Sequence, residues 1–234
     1  MKKIFLDSSA VISLTLNNLL WILDALKEHL DGDFFICPEI KAELVDNPLN
    51  TKRFEFEALQ VLAQINSGAL KIAELTPEAN TLYDELLHLA NTSFKSKGVW
   101  INIVHKGEMQ ALATAILSGA SAFVVDERTT RLLLENPGAL RDLLQSKLHT
   151  RVEVNRQNLA RFRSLTRQIK VIRSVELVLV AYELGTLDRY LPAGTPEARE
   201  ILLDAVLWGL KLKGCAISED EIAQVKRIEA RVSE

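Results

Sequence analysis

Four acidic residues stand where the chain could bring them together at one edge of a sheet. Asp7 and Asp126 each follow a short apolar run that is typical of a buried strand. Glu43 lies in the helix predicted after the second strand, and Glu108 opens a later helix. Because the carboxyl ends of parallel strands meet at one sheet edge, we expect these four carboxylates to converge there.

Converging carboxylates repel one another and cannot all ionise in a low-dielectric cleft without a cation. Mg²⁺ or Mn²⁺ prefers such hard oxygen ligands and keeps waters for chemistry. The reaction that suits this arrangement is hydrolysis of a phosphodiester, in which the metal activates water and stabilises the leaving oxygen. We therefore predict that Asp7, Glu43, Glu108 and Asp126 form a metal-binding and catalytic group.

Each acid also has a simpler structural explanation when it is taken alone. Glu108 can complement the dipole of its helix, which is worth about 0.3–1 kcal/mol. Asp126 can cap the helix that follows it, and Asp7 can do the same. Glu43 can be a solvated helix residue. The joint pattern, rather than any single acid, favours the metal site.

Polar residues next to these acids are candidates for supporting roles. Ser8 and Ser9 could orient the Asp7 carboxylate or hold a metal-bound water; the alternative for either is a helix N-cap. Arg128 could contact a scissile phosphate and Lys106 could face the substrate, although Arg128 also suits an exposed helix surface. His105 is a weaker candidate for a general base than metal-activated water.

Strand and helix patterns alternate along the chain, which predicts an α/β fold with a mostly parallel sheet covered by helices. One helical pattern runs without interruption from Ser9 to His29. The segment 92–106 is ambiguous, and the pattern is weak after residue 136, with a possible strand at 152–154. Two helices are predicted near the C-terminus, at about 196–213 and 218–232. The predicted strands of the main sheet are 3–6, 34–37, 70–73, 121–125 and 169–172.

Composition limits the functional classes. The 234 residues carry a net charge of -3 with a pI of about 5.9, so the chain is not a generally basic nucleic-acid coat. Cys37 and Cys215 form no metal-binding or disulfide pattern, which is typical of a reducing compartment. The sequence contains no uninterrupted apolar stretch of about 18 residues. We expect a soluble, cytoplasmic protein with no membrane segment.

The acidic motifs resemble those of the PIN-domain ribonucleases, the family that includes VapC-type toxins. The resemblance covers residues 3–135, and its four matching segments are FLDSSAVI at 5–12, PEIKAEL at 38–44, KGEMQALA at 106–113 and ASAFVVDER at 120–128. It implies a Rossmann-like three-layer α/β/α PIN-like sandwich that cleaves single-stranded RNA with Mg²⁺ or Mn²⁺. It also implies Asp7, Glu43, Glu108 and Asp126 as the acidic site, a homodimer, and an antitoxin protein as a candidate partner.

The remainder of the chain is similar to a prokaryotic PIN subgroup at 171–185 and 212–218. In that subgroup the last strand follows the fourth motif closely, whereas here the segment at about 135–168 intervenes. We therefore predict a PIN-like domain at 1–174 with an insertion, and a C-terminal helical extension at 175–234.

The insertion contains several arginines on a predicted helix, and these are candidates for tracking an RNA backbone. The alternative is a solvated helix, or one whose charges pair with acids elsewhere. The tentative RNA-binding residues are Arg161, Arg163 and Arg167.

Two other functions remain open from the sequence. A non-catalytic PIN-like module that binds RNA or protein could use apolar residues of the C-terminal helices as a partner or dimer surface, namely Leu202, Leu203, Val206, Leu207 and Leu210. A phosphatase is disfavoured because Asp7 lacks a second aspartate two positions later. Nucleotide-binding roles are disfavoured because the sequence has no glycine-rich phosphate loop.

Overall fold

The central sheet has five parallel strands. The computed structural model describes residues 1–191 and 193–232, so Pro192, Ser233 and Glu234 of the predicted extension lie outside the described residues. The strands of the described residues, of which five form the central sheet, are β1 Lys2–Leu6, β2 Gly32–Ile36, β3 Leu70–Ile72, β4 Phe94–Ser96, β5 Val99–Trp100, β6 Ala122–Val124, β7 Glu153–Val154 and β8 Val171–Ile172. The central sheet has the order β3-β2-β1-β6-β8.

Helices flank this sheet, and the predicted α/β fold with a mostly parallel sheet is confirmed. The chain also contains a π-helical turn at Ala42–Asp46 and a 3₁₀ helix at Thr186–Tyr190. The helices are α1 Ser8–Leu16, α2 Ile22–Leu30, α3 Pro38–Lys41, α4 Asn47–Thr51, α5 Glu55–Ser67, α6 Pro77–Asn91, α7 Lys106–Leu117, α8 Arg128–Glu135, α9 Pro137–Leu148, α10 Arg156–Thr166, α11 Ser174–Glu183, α12 Ala198–Leu212 and α13 Glu219–Val232.

The strand order places β1 at the centre, between β2 and β6. Its side chains from Ile4 to Leu6 are buried, as expected for a parallel strand that helices cover on both faces. The strand order changes direction at β1, because β2 and β3 lie on one side of it and β6 and β8 lie on the other. In such sheets, ligands bind beyond the carboxyl ends of the strands at this switch point. Asp7 is the first residue after β1.

Two segments differ from the sequence-based expectation for local reasons. The helical pattern from Ser9 to His29 is broken into α1 and α2, because Asn18 has φ of 54° and turns the chain between them. The ambiguous segment forms the hairpin β4–β5. Its two turn residues, Lys97 and Gly98, have φ of 50° and 80°, and positive φ at both positions is typical of tight hairpins.

The predicted insertion is packed structure rather than a loop. It contains α9, β7 and α10. The predicted strand at 152–154 pairs antiparallel with β4, so it belongs to a second sheet of order β5-β4-β7. Helix α10 packs against α6, and Phe162 on α10 is fully buried. This segment therefore builds a layer at the side of the central fold.

The C-terminal helices share the same core. Helix α11 packs against α1 and α2, and α12 packs against α11 and α13. Leu202, Leu203, Leu207 and Leu210 are buried within the chain, so they do not form the exposed partner surface that the sequence allowed; Val206 is half-buried. None of the helices in the described part of the chain has the length and apolar character needed to cross a membrane.

Arg173 connects this C-terminal region to the sheet edge. It follows β8, and its guanidinium donates to the carbonyl oxygen of Ala216 (3.2 Å) and to Glu221 (2.8 Å). Its backbone N–H donates to Glu176 at 2.6 Å. These bonds hold the chain before α13 against the carboxyl end of the sheet.

A buried carboxylate on β2 is neutralised by two lysines. Asp33 is 2% exposed, and its two oxygens lie 3.1 Å from Nζ of Lys27 and 2.7 Å from Nζ of Lys71. The hydrogen bond from Lys71 lowers the pKa of Asp33, and Lys27 lowers it further. A lowered pKa in the folded state gives stability that is present above the unfolded pKa and lost as the pH falls through the folded one.

We predict that Asp33→Asn lowers the free energy of unfolding by about 1–3 kcal/mol at pH 7, the usual worth of hydrogen bonds to charged groups. The loss should shrink in acid as the wild-type carboxylate becomes protonated. Urea unfolding at pH 7 and at about pH 3 measures this difference. Asp31→Asn is the matched control, because Asp31 is exposed two residues away. An equal loss at both pH values would contradict the ion-pair account.

Candidate functional site

Asp7 is fixed at the end of β1 by hydrogen bonds that use only one of its oxygens. Its backbone N–H donates to the carbonyl oxygen of Val124 at 2.9 Å. Its Oδ2 accepts from the Ser9 hydroxyl at 2.6 Å and from the Ser9 N–H at 3.1 Å, so Asp7 is also the N-cap of α1. Its Oδ1 is buried and has no hydrogen-bond partner among the residues that the structure describes. An unpartnered buried carboxylate oxygen is costly, which marks this atom as a candidate ligand position.

Burial raises the pKa of Asp7 to about 6, although the hydrogen bonds from Ser9 oppose this shift. The negative charge of Glu43 contributes to the increase. The side chain of Asp7 is 1% exposed. A nearby cation would favour the ionised form of such a carboxyl group.

Ser9 joins the ends of the two central strands. Its hydroxyl donates to Asp7 and accepts from the backbone N–H groups of Asp126 (3.0 Å) and Glu127 (3.2 Å). One oxygen therefore satisfies two N–H groups after β6 while it orients the carboxylate after β1. The sequence suggested an orienting role for Ser8 or Ser9, and the structure places Ser9 in that position. The hydroxyl of Ser8 makes no hydrogen bond among the described residues.

Glu108 lies in the first turn of α7, where its carboxylate accepts from the backbone N–H of His105 at 2.8 Å. This is the capping role that the sequence offered as the simpler explanation. Burial, together with the charges of Asp7 and Glu127, nevertheless raises the pKa of Glu108 to about 8. Glu108 therefore caps its helix and is also electrostatically coupled to Asp7.

Glu43 occupies the π-helical turn that follows α3 and is exposed to solvent. A Cβ added at Gly107 would lie 3.5 Å from Oε2 of Glu43, so this carboxylate sits over the start of α7. Its charge also raises the pKa of Asp7. Three of the predicted acids, Asp7, Glu43 and Glu108, are thus electrostatic neighbours around the start of α7.

Asp126 is directed elsewhere. Its Oδ1 accepts from the backbone N–H of Ser174 at 2.7 Å, and its Oδ2 accepts from the Ser174 hydroxyl at 2.6 Å. These bonds fix the start of α11, and Asp126 is completely buried. Both carboxylate oxygens are therefore occupied within the protein.

Glu127, which was not a candidate from the sequence, lies near Glu108. It caps α8 by accepting from the Thr130 N–H at 2.7 Å, and its charge raises the pKa of Glu108. The contact with Ser174, 48 residues later, turns the adjacent Asp126 away from this group.

The basic candidates are at the periphery. Arg128 and Lys106 are exposed at the starts of α8 and α7. Arg161 forms an ion pair with Glu85 of α6 at 2.8 Å, which is the paired alternative considered from the sequence. Arg163 and Arg167 are exposed on or next to α10. The structure therefore leaves Arg163 and Arg167 available to a polyanion.

The fit of this site to a divalent cation can be judged from its donors. Within residues 1–191 and 193–232, no group of three or more His, Cys, Asp and Glu side chains is arranged to hold a metal ion. Mg²⁺, however, usually binds through one or two carboxylates and keeps several waters. The free Oδ1 of Asp7 and the like charges beside it meet that smaller requirement, so the residues fit such an ion.

Comparisons with known proteins do not extend this picture. A scan against protein-family models gives no match, and searches of curated proteins and of solved structures find no significant similarity. The site is therefore interpreted from its own geometry.

We predict that Glu108 makes the metal-free protein less stable as the pH rises. Its pKa of about 8 exceeds its ordinary value of 4.5, so the folded state binds more protons between these pH values. The contribution of Glu108 to the free energy of unfolding is complete below about pH 4.5 and is lost as the pH rises through 8. Glu108→Gln should remove this decline and should raise the melting temperature at pH 8 relative to wild type.

Thermal unfolding in a chelator at pH 5 and pH 8 measures this effect. Glu135→Gln, at an exposed position of α8, should keep the wild-type pH dependence. If Glu108→Gln declined with pH as steeply as wild type, the raised pKa of Glu108 would be refuted.

We also predict that Ser9→Ala destabilises the fold by about 1–3 kcal/mol, because it leaves two N–H groups after β6 without a partner. It should further raise the pKa of Asp7 by removing the hydrogen bond that lowers it. Urea unfolding and a carboxyl NMR titration measure the two effects. Ser8→Ala is the matched control and should change neither quantity appreciably; equal effects from both variants would contradict the role assigned to Ser9.

Proposed function

We propose that this protein is a Mg²⁺- or Mn²⁺-dependent endoribonuclease of the PIN-like type that hydrolyses single-stranded RNA. The observation that carries the proposal is Oδ1 of buried Asp7, which has no hydrogen-bond partner among the described residues and lies near the carboxyl groups of Glu43 and Glu108. The parallel sheet and the motif order of the sequence agree with that class of enzyme.

Asp7 and one neighbouring carboxylate, that of Glu43 or Glu108, would hold the cation, and waters would fill its other positions. Asp126 would instead fix the start of α11. The cation would supply charge neutralisation and water activation for attack on a phosphodiester. The protein's own contribution is to hold the carboxylates rigidly. Ser9 orients Asp7, and the capping bonds of Glu108 and Glu127 limit the rotamers of those side chains.

The cellular setting is part of the same proposal. Both cysteines are free and buried, which supports a reducing cytoplasm. A toxin with an antitoxin protein as its partner and an RNA-processing enzyme are both compatible with the site, and a homodimer is expected from the resemblance. Exposed Arg163 and Arg167 could assist RNA binding.

A non-catalytic RNA- or protein-binding module is the second candidate. It is favoured by one observation, which is that the described carboxylates are not arranged as a three-ligand group. Such a module would bind RNA without cleaving it, so the cleavage assay separates the two candidates.

We predict that the wild-type protein cleaves single-stranded RNA when Mg²⁺ or Mn²⁺ is added, and that Asp7→Asn reduces the rate at least about 100-fold. Loss of a metal ligand should cost no less than the loss of an outer-shell partner. Gel analysis of end-labelled RNA measures cleavage, and circular dichroism confirms folding. Glu135→Gln is the matched control and should retain activity. Failure of the wild type to cleave RNA with either metal would contradict the proposal.

A further inference from the structure

A cavity of about 260 Å³ opens beside the carboxylates. Apolar side chains form most of its wall, among them Ile12 and Leu16 of α1 and Val61 of α5. Glu43 also lines it, so the cavity and the proposed metal site share a side chain. Its volume lies just below the roughly 300–1,000 Å³ of sites for drug-sized ligands. A single heterocyclic group suits this size better than a folded partner element.

The mouth of the cavity carries an aromatic ring on strained backbone. Lys52 and Phe54 have φ of 61° and 60°, a left-handed conformation that is rare for bulky residues. The strained conformation leaves the Phe54 side chain 54% exposed instead of packed in the core. Strain of this kind persists where the surrounding structure maintains it, and it is concentrated at ligand sites.

The ring of Phe54 has a cation on one side. The guanidinium of Arg53 lies 5.1 Å from the ring centroid. An aromatic ring with an adjacent guanidinium is a stacking platform for an unpaired base, and the cation can also attract the nearby phosphate. A simple apolar peptide would gain nothing from this positive charge.

Helix α5 supplies a hydrogen-bond acceptor to the cavity. Glu57 lines the cavity and is half-buried, and its carboxylate makes no hydrogen bond or ion pair with any described residue. An ionised carboxylate only accepts hydrogen bonds. An occupant must therefore present N–H groups on an otherwise flat, apolar body, as bases with amino groups do.

We propose that this cavity, which we call the α1–α5 cavity, binds one nucleobase of the single-stranded RNA substrate, stacked on Phe54 and hydrogen-bonded to Glu57. The proposal rests on the ribonuclease function proposed above. Because Glu43 lines the cavity and lies near Asp7, the phosphate next to that base would come close to the proposed cation. The subsite would make the enzyme prefer amino-bearing bases over uracil at this position.

Fluorescence of 2-aminopurine in a short single-stranded RNA tests the subsite. The base loses fluorescence when it stacks, so titration with Asp7→Asn protein, and with wild type in a chelator, should quench it. Adding Phe54→Ala should abolish the quenching and weaken binding about tenfold or more, the usual consequence of losing one base–aromatic stack. Phe54→Tyr should restore both.

Phe56→Ala is the matched control. Phe56 is 72% exposed and two residues away, but it does not line the cavity, so its loss should leave quenching and affinity unchanged. Glu57→Gln should reduce the preference for adenine- or guanine-containing RNA over oligouridine, with less effect on oligouridine binding itself.

Three outcomes would overturn the subsite. These are the absence of quenching with both protein forms, unchanged quenching in Phe54→Ala, or a wild-type dimer that Phe54→Ala converts to a monomer. In the last case a second copy of the chain would cover the cavity. If Phe54→Ala bound RNA like wild type while Asp7→Asn alone abolished cleavage, the subsite would fail and the proposed function would stand. If the wild-type protein quenched the fluorescence but could not cleave RNA, the subsite would stand and the proposed ribonuclease function would fail.

Discussion

The hydroxyl of Ser9 is the contact on which the geometry of this site depends. It joins the residue after β1 to the backbone after β6, and those two strands are neighbours at the centre of the sheet. Because one oxygen makes three hydrogen bonds, the position of the Asp7 carboxylate and the start of the next segment are set together. The direction of Asp126 and Glu127 follows from this fixed point. Asp126 turns toward Ser174 and stabilises α11, whereas Glu127 remains on the side of Glu108.

The same rigidity creates an electrostatic conflict. Burial and neighbouring negative charge raise the pKa values of Asp7 and Glu108 to about 6 and about 8, and Oδ1 of Asp7 has no hydrogen-bond partner. By contrast, the buried carboxylate of Asp33, near the amino end of β2, is neutralised by two lysines. The fold thus compensates one buried acid with its own cations and leaves the acids at the functional edge uncompensated. Protons compensate these acids at low pH, and a divalent cation would take the place of those protons in the function we propose.

Much of this arrangement can be predicted from the sequence because it depends on local patterns. Short apolar runs followed by Asp7 and by Asp126 predict two strands that end at one sheet edge, and the structure has them as β1 and β6, which pair with each other. What depends on distant contacts could not be predicted. Asp126 is occupied by Ser174, which only the parallel pairing of β6 with β8 brings near. The break depends on one left-handed residue, Asn18, and the hairpin depends on two, Lys97 and Gly98; periodicity does not detect such residues. The α1–α5 cavity arises from packing between helices that are far apart in the chain.

Calorimetric titration of the wild-type protein with Mn²⁺ at pH 7 tests the central claim most directly, which is that these carboxylates together bind a divalent cation. Because burial and like charges raise the pKa values of Asp7 and Glu108, binding must release protons. The account predicts saturable binding whose heat depends on the ionisation enthalpy of the buffer. It also predicts that Glu127→Gln weakens this binding more than Asp126→Asn does. The absence of saturable binding, or binding without proton release, would contradict the account.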